Sequence, residues 1–407
     1  MSRKKILFIT HTPPGLTSGI KIREYYLIKH LSKNHDIGLL TSLDGDEKEI
    51  NKYCEVYTYI YPPENRTGGD RCDVCDGWES GYCSRLKCMK SKLKELFLKP
   101  PSYFNYSFEE AVLNKYKEVI NSKQYDCVIT EFIPSQRFIG CLRGLKVLDL
   151  YDLAPLKYKI TGNNRLGDNL INRLLNGKIN KYVRGCLKDF DLVLSVSEKE
   201  AAVVSVENPN VLLAENGVNV SYFKDIQFTS NKNLLFIGTL DYWPNEEGIT
   251  RFINEQYGKL RRYDQNIGLN IVGKRPGKKL KDIVARYEGI KLYDRLADIR
   301  EVMRVSYISL VPIYSGSGTR IKILESMAAC LPVVSTAKGA EGLRVTDKKD
   351  IFIAESHTDF RDRILALMSD RDIYNTIKYN ALQTATSYSW AAAAKKIDDK
   401  ISELYAR

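Results

Sequence analysis

The residues best suited to chemistry lie in one stretch, Val311–Val334, which reads VPIYSGSGTRIKILESMAACLPVV. Two short apolar runs flank it and read as buried strands. Between them lies a small-residue turn, Ser315-Gly316-Ser317-Gly318-Thr319, followed by a helical pattern with Ile321, Leu324, Met327 and Ala328 on one face. Glycines at a strand-to-helix turn let the backbone approach a ligand closely, and the free N–H groups of a helix start attract anions. Arg320 and Lys322 fall in the first turn of that helix, where cations oppose the helix dipole. A bound phosphate resolves the conflict. Glu325 follows one turn later, an acceptor-only group suited to gripping a sugar diol. The plainer reading is a capped helix with surface charges, and a Gly-x-Gly turn alone does not decide between the two.

A second group of reactive side chains is Cys72, Cys75, Cys83 and Cys88, four thiols within seventeen residues that begin with a CxxC. That is metal-ligand spacing. Four thiolates suit tetrahedral zinc, with an iron–sulfur cluster as the second choice. The metal would staple an insert near 66–99 that has few apolar residues of its own. Within that insert Arg85–Lys99 carries Leu86, Met89, Leu93, Leu96 and Phe97 as a helical stripe ringed by lysines. Such a helix lies on an anionic membrane surface or packs on a core with a solvated outer face; both readings stand. Arg165–Lys188 is also basic.

The elements that must position these groups follow a strand-then-helix rhythm. Lys5–Thr10 is an unbroken apolar run, as in a strand buried on both faces of a parallel sheet. Pro13-Pro14-Gly15 breaks the chain, and Ser18-Gly19 leads into a helix from about Ile20 to Leu31. A glycine-bearing turn there lies at the carboxyl edge of the sheet, where ligands bind in open α/β folds. Gly19, Lys21 and Arg23 are thus read near a cleft, or else as a turn glycine with solvated helix charges. Further strands are expected at Asp36–Thr41, Val56–Ile60, Asp126–Thr130, Lys146–Asp149 and Leu192–Ser197. After a polar linker at 221–232 they continue at Asn233–Gly238, Asn270–Gly273, Ile290–Tyr293, Tyr307–Pro312 and Ile351–Ala354. Asn245 with Glu246 reads as a helix start. Lys274, at the end of its strand, faces the expected cleft or is plain surface.

At 407 residues, two domains are the natural expectation. The apolar fraction of 43% supports sizeable cores, and a net charge of +12 points to an anionic partner such as a nucleotide-sugar, an anionic lipid or a nucleic acid. No run of eighteen apolar residues exists, so no transmembrane helix is expected. Nine cysteines, four clustered and five scattered, are not a secreted disulfide framework and suggest a cytosolic location.

GSGTRIKILESMAACLPVVST resembles the donor-site segment of retaining glycosyltransferases of the GT-B fold, the large family-4 group. LLFIGTLDYWPNEEGITRFI upstream, KGAEGL downstream and PPGLTSGIKIREYYLIKHL in the first half also resemble it. The family pattern has two glutamates; Glu325 fits the second, but Ser317 occupies the place of the first. Where many members carry Arg after the strand glycine, this chain has Thr239. Tyr151-Asp152-Leu153-Ala154-Pro155 is similar to a His-Asp-x-x-Pro segment whose His lies at the reaction centre, with Tyr151 in its place. Asp152 is then a sugar-positioning group, or a turn or cap residue. The resemblance implies that the loop holding Arg295 and Leu296 grips the nucleotide base. Ser317, Gly318, Thr319, Arg320 and Lys322 would meet the diphosphate, with Gly19 and Lys274 at the donor.

The resemblance also implies two doubly wound Rossmann-like domains facing a cleft. These are an acceptor-side domain at 1–220 and a donor domain at 233–387, with a final helix at 388–407 crossing back. The implied activity is transfer of a sugar from a nucleotide-sugar to a glycan or lipid-linked acceptor, with retention and without an active-site metal. The protein would then work in cell-surface polysaccharide or glycoconjugate synthesis, in the cytoplasm or at the inner face of the membrane. Two rivals remain: a GT-B sugar-nucleotide epimerase or hydrolase, and a basic, metal-stapled nucleic-acid-binding protein on a decayed transferase fold.

Overall fold

The computed structural model describes residues 3–10, 13–16, 19–42, 49–59, 110–131, 144–151, 166–224, 226, 232–294, 296, 298–316 and 320–406. Asp152, Arg295, Ser317, Gly318, Thr319, the four clustered cysteines and the basic segment 85–99 lie outside them. The chain divides into two compact units: Met1–Ala214 with Lys395–Arg407, and Glu215–Ala394.

Unit 1 is built on a seven-stranded sheet in the order β3-β2-β1-β4-β5-β6-β7. Its strands are β1 (Lys5–Ile9), β2 (Asp36–Ser42), β3 (Glu55–Tyr59), β4 (Cys127–Thr130), β5 (Leu145–Leu150), β6 (Leu192–Ser195) and β7 (Val211–Leu213). Every neighbouring pair is parallel, with Ile6 opposite Ile37 on one side and Cys127 on the other. Strand order reverses between β1 and β4. The central strands are buried on both faces, which is why they read as continuous apolar runs. Helix Leu166–Leu187 turns Leu175, Ile179, Val183, Cys186 and Leu187 into the core, so the basic stretch seen in the sequence is a core-packed helix with a charged outer side. That helix, Glu110–Ser122 and the short β7 are elements the sequence reading did not name.

Helix Trp390–Tyr405 ends in unit 1. Asp398 accepts from Asn34 at 3.0 Å and faces His35 Nε2 at 2.8 Å. The Tyr405 hydroxyl donates to the Asp126 carbonyl at 2.8 Å.

Unit 2 is built on a six-stranded, wholly parallel sheet in the order β10-β9-β8-β11-β12-β13. Its strands are β8 (Leu234–Ile237), β9 (Leu269–Val272), β10 (Ile290–Tyr293), β11 (Ile308–Val311), β12 (Val333–Thr336) and β13 (Phe352–Ala354). Here the order reverses between β8 and β11. One core of buried aliphatic side chains, among them Phe236, Ile271, Leu310 and Val334, runs through the layers. Both units are therefore Rossmann-like parallel α/β domains, the architecture of GT-B proteins. Among the described residues no helix is long and apolar enough to cross a membrane.

Candidate functional site

In open parallel sheets a ligand sits outside the carboxyl ends of the strands, where the strand order reverses. In unit 2 that place lies beyond Ile237 and Val311. Three glycines let the backbone close up there. A Cβ on Gly273 would lie 1.9 Å from the Gly238 carbonyl oxygen, and one on Gly248 would lie 2.0 Å from that of Pro312. Gly316 has φ +88°, and Tyr242 Oη, Arg320 Nη2 and Pro244 all crowd the position of its missing side chain.

Helix Ile321–Ala328 starts at this edge. Its seat is fixed by Ser326 Oγ, which donates to Ser309 Oγ on β11 at 2.8 Å. Arg320 is the N-cap residue rather than part of the first turn, and its Nη2 donates to the Ser315 carbonyl at 3.3 Å. Lys322 does lie in the first turn. Its Nζ donates to Asn245 Oδ1 at 2.8 Å and stands 4.9 Å from the centre of the Phe236 ring. Asn245 Nδ2 in turn donates to the Thr239 carbonyl at 2.9 Å. Asn245 is thus a bridge and does not cap its helix, which begins earlier at Trp243 because Pro244 is already shaped for a first turn.

The electrostatics of this edge are unusual. Lys322 and Glu325 each keep some solvent-accessible surface, yet both are closely surrounded by protein. Burial, and then the neighbouring Arg320, pull the Lys322 ammonium down to about 7, against a smaller pull from Glu325. Burial pushes the Glu325 carboxyl up to about 7, with Lys322 opposing. A cation and a carboxylate stand one helical turn apart, each held near 7 because burial outweighs the charge that the other supplies. A bound anion would restore the charge of Lys322, and hydroxyl donors would stabilise ionised Glu325.

The remaining positions fall as follows. Half-buried Lys274 follows β9, and its carbonyl accepts from Leu240 N at 2.9 Å. Leu296 packs against the core of unit 2 beyond β10. Gly19 opens helix Gly19–Leu31 at the carboxyl edge of unit 1, and Tyr151 directly follows β5 there. Arg23 is neither solvated nor open to a ligand. It is 1% exposed, with its guanidinium against Asp149 at 2.8–3.0 Å and its Nη1 donating to the Ala214 carbonyl. Asn245, Tyr242 and Phe236 were missed in the sequence. Their one signal was proximity to the strand glycine Gly238. Among the described residues no group of three His, Cys, Asp or Glu side chains is placed to hold a metal ion.

Comparison with known proteins agrees with this geometry. Residues 231–370 match the family described as "Glycosyl transferases group 1". An uncharacterized 44.6 kDa protein in the cps region of Klebsiella pneumoniae is 24% identical over 321 residues, covering 74% of this chain and 78% of that protein. Solved structures with the same fold include Anabaena HepE with UDP and glucose, at TM-score 0.69 and 14% identity over 98% of this chain and 100% of that one. Sucrose-phosphate synthase from Thermosynechococcus elongatus superposes at TM-score 0.70 and 15% identity over 99% and 100% of the two chains. A mutant of S. aureus TarM, solved with fondaparinux, α-GlcNAc-glycerol and UDP, superposes at 0.69 and 11% identity over 98% and 99%. The fold is GT-B, and within it residues 231–370 carry the match to a glycosyl transferase family.

Proposed function

We propose that this protein moves a sugar from a nucleotide-sugar to a glycan or lipid-linked acceptor, with retention of configuration, in the synthesis of a cell-surface polysaccharide or glycoconjugate. The observation that carries the reading is the trio Arg320, Lys322 and Glu325. They sit on one helix start at the strand reversal of unit 2, inside the segment that matches the group 1 family. UDP in the HepE and TarM structures, and the cps-region location of the Klebsiella relative, support the donor class and the setting.

In this reading Arg320, Lys322 and the helix N-terminus stabilise the diphosphate, whose charge grows as the sugar leaves. Ser317, Gly318 and Thr319 would bring the backbone close to it. Burial weakens the charged form of Lys322, and arriving phosphates favour it. Glu325 accepts hydrogen bonds from the ribose diol. Arg295 and Leu296 belong to the base loop, Lys274 and Gly19 to the donor's surroundings, and Tyr151 with Asp152 to the transferred sugar. Cys72, Cys75, Cys83 and Cys88 hold a structural zinc outside this chemistry, and 85–99 attaches the enzyme to an anionic membrane surface.

The test compares donor affinity and turnover in Glu325→Ala and Arg320→Ala, using the nucleotide-sugar that most raises the melting temperature of the wild type. Glu325→Ala should weaken donor binding by about 1–3 kcal/mol, the worth of hydrogen bonds to a charged acceptor. Arg320→Ala should lower turnover more than affinity. Near-wild-type kinetics in both variants would remove this helix from the active site.

A further inference from the structure

The Lys322 ammonium is met from outside its own helix by an amide, and the orientation of that amide is fixed. Asn245 lies in the first turn of helix Trp243–Phe252 and is 8% exposed. Its Nδ2 donates to the Thr239 carbonyl at 2.9 Å, which leaves its Oδ1 to accept from Lys322 Nζ at 2.8 Å. Turning the amide over would set an NH2 group against the ammonium and an oxygen against a carbonyl. Of the side chains with this shape, aspartate suits the ammonium but opposes the Thr239 carbonyl with a second acceptor, and leucine serves neither neighbour. Only the amide serves both. Gly238 leaves the room they need: a Cβ there would lie 2.8 Å from Asn245 Cγ and 2.8 Å from Lys322 Nζ.

We propose that Asn245 is the positioning residue of Lys322: it holds the ammonium beside Gly238 through an acceptor that carries no charge, and so leaves the charge of the lysine to the donor diphosphate. This rests on the transferase reading above and adds to the same donor site a residue that acts through Lys322 rather than on the substrate. The charges around the ammonium show what a neutral partner preserves. Arg320 and Glu325 face it with opposite signs, while the Asn245 amide and the Phe236 ring carry no net charge. Burial and Arg320 disfavour the ammonium form more than Glu325 favours it, which brings the lysine to about 7. A diphosphate arriving at the helix start supplies negative charge and raises the proton affinity of the lysine. An aspartate at position 245 would supply negative charge permanently. The lysine would then hold its proton without the donor, and the new carboxylate would repel the diphosphate. The amide avoids both.

The experiment titrates the full chain calorimetrically with UDP-glucose, UDP-N-acetylglucosamine, GDP-mannose and dTDP-rhamnose, whose diphosphates keep one charge state around neutral pH. The tightest binder is then carried through the variants across the range around pH 7 in which Lys322 titrates. Wild-type affinity should fall as pH rises through that range, because the ammonium loses its proton. On the acid side, Asn245→Asp and Asn245→Leu should each raise the Kd about tenfold, the scale of one charge-assisted hydrogen bond. Both variants lose the same bond to the Thr239 carbonyl, so local damage to the fold is common to the two. Their pH profiles should separate. The midpoint of the fall moves up in Asn245→Asp, whose carboxylate keeps the lysine protonated, and down in Asn245→Leu, where burial acts without an acceptor to offset it. Lys322→Met should flatten the profile, alone and combined with Asn245→Asp. Melting identifies the folded variants, and where one fails to fold the direction of the shift in the other decides. An unchanged Kd and midpoint in a folded variant overturns the proposal, as does a loss of affinity with an unmoved midpoint, the result of a purely structural role. A wild type that binds none of the four nucleotide-sugars overturns the transferase reading itself, and this assignment with it.

Discussion

Replacing Lys322 by Met should make the ligand-free protein more stable while it loses its donor. The lysine ammonium is held near 7 instead of its ordinary 10.5. At ~1.4 kcal/mol for each pH unit, that difference sets a ceiling of about 5 kcal/mol on the cost of keeping the charge folded. The side chain's residual solvent contact lowers that figure. Met also forfeits the hydrogen bond to Asn245, worth about 1 kcal/mol, and the contact of the cation with the Phe236 ring, worth ~0.5–1 kcal/mol. The net expectation is a gain of roughly 1–3 kcal/mol at pH 7, or several degrees in the melting of a unit this size. The sign of the pH dependence is fixed. Below about 7 the lysine is charged in both folded and unfolded chains, and its cost is fully present. Between 7 and 10.5 the folded chain gives up a proton that the unfolded chain keeps, so the wild type gains stability as pH rises and the advantage of Met shrinks. Thermal melts of both proteins at pH 7 and pH 9.5, with a nucleotide-sugar titration alongside, measure this. A variant that melts below wild type at pH 7, or gains equally at both pH values, would refute the reasoning.

Gly273→Ala should cost several kcal/mol and lower the melting temperature sharply, since its Cβ would sit inside the Gly238 carbonyl, with the Leu240 side chain crowding it as well. Arg23→Met should destabilise unit 1 by about 3–5 kcal/mol in urea unfolding, because Asp149 is left charged and buried; adding Asp149→Leu should recover part of the loss. Elemental analysis of the purified protein should find about one zinc per chain, lost on Cys75→Ser. Metal-free, fully stable wild type would end the zinc proposal.

The parallel sheets were legible because a strand covered on both faces leaves an unbroken apolar run, as in Lys5–Thr10 and Asn233–Gly238. The helix bearing Arg320, Lys322 and Glu325 was legible from glycines and charges at its start. What stayed hidden depends on partners far away in the chain. Asn245 looked like a cap because its side chain can cap, but the ammonium of Lys322 is a better partner than its own helix N–H groups. Val211–Leu213 is three half-buried residues at a sheet edge, too short to show a period. Arg23 read either as a group near a cleft or as a solvated helix charge. It is buried against Asp149 and the Ala214 carbonyl, 126 and 191 residues further along the chain, and no local pattern encodes that.

The return of the last helix to unit 1 has a consequence for how the protein is made. Asn34, His35 and Asp126 leave the ribosome before unit 2 is made, but their partners Asp398 and Tyr405 are translated only after the whole of it. At roughly 5–20 residues per second, the nascent first unit waits on the order of ten to forty seconds, through synthesis of the whole of unit 2, before its closing helix exists. Until then the aliphatic face that receives Ile397 and Ile401 is open to chaperones and to neighbouring nascent chains. A premature stop that spares every residue of unit 2 would therefore injure unit 1, the part already built.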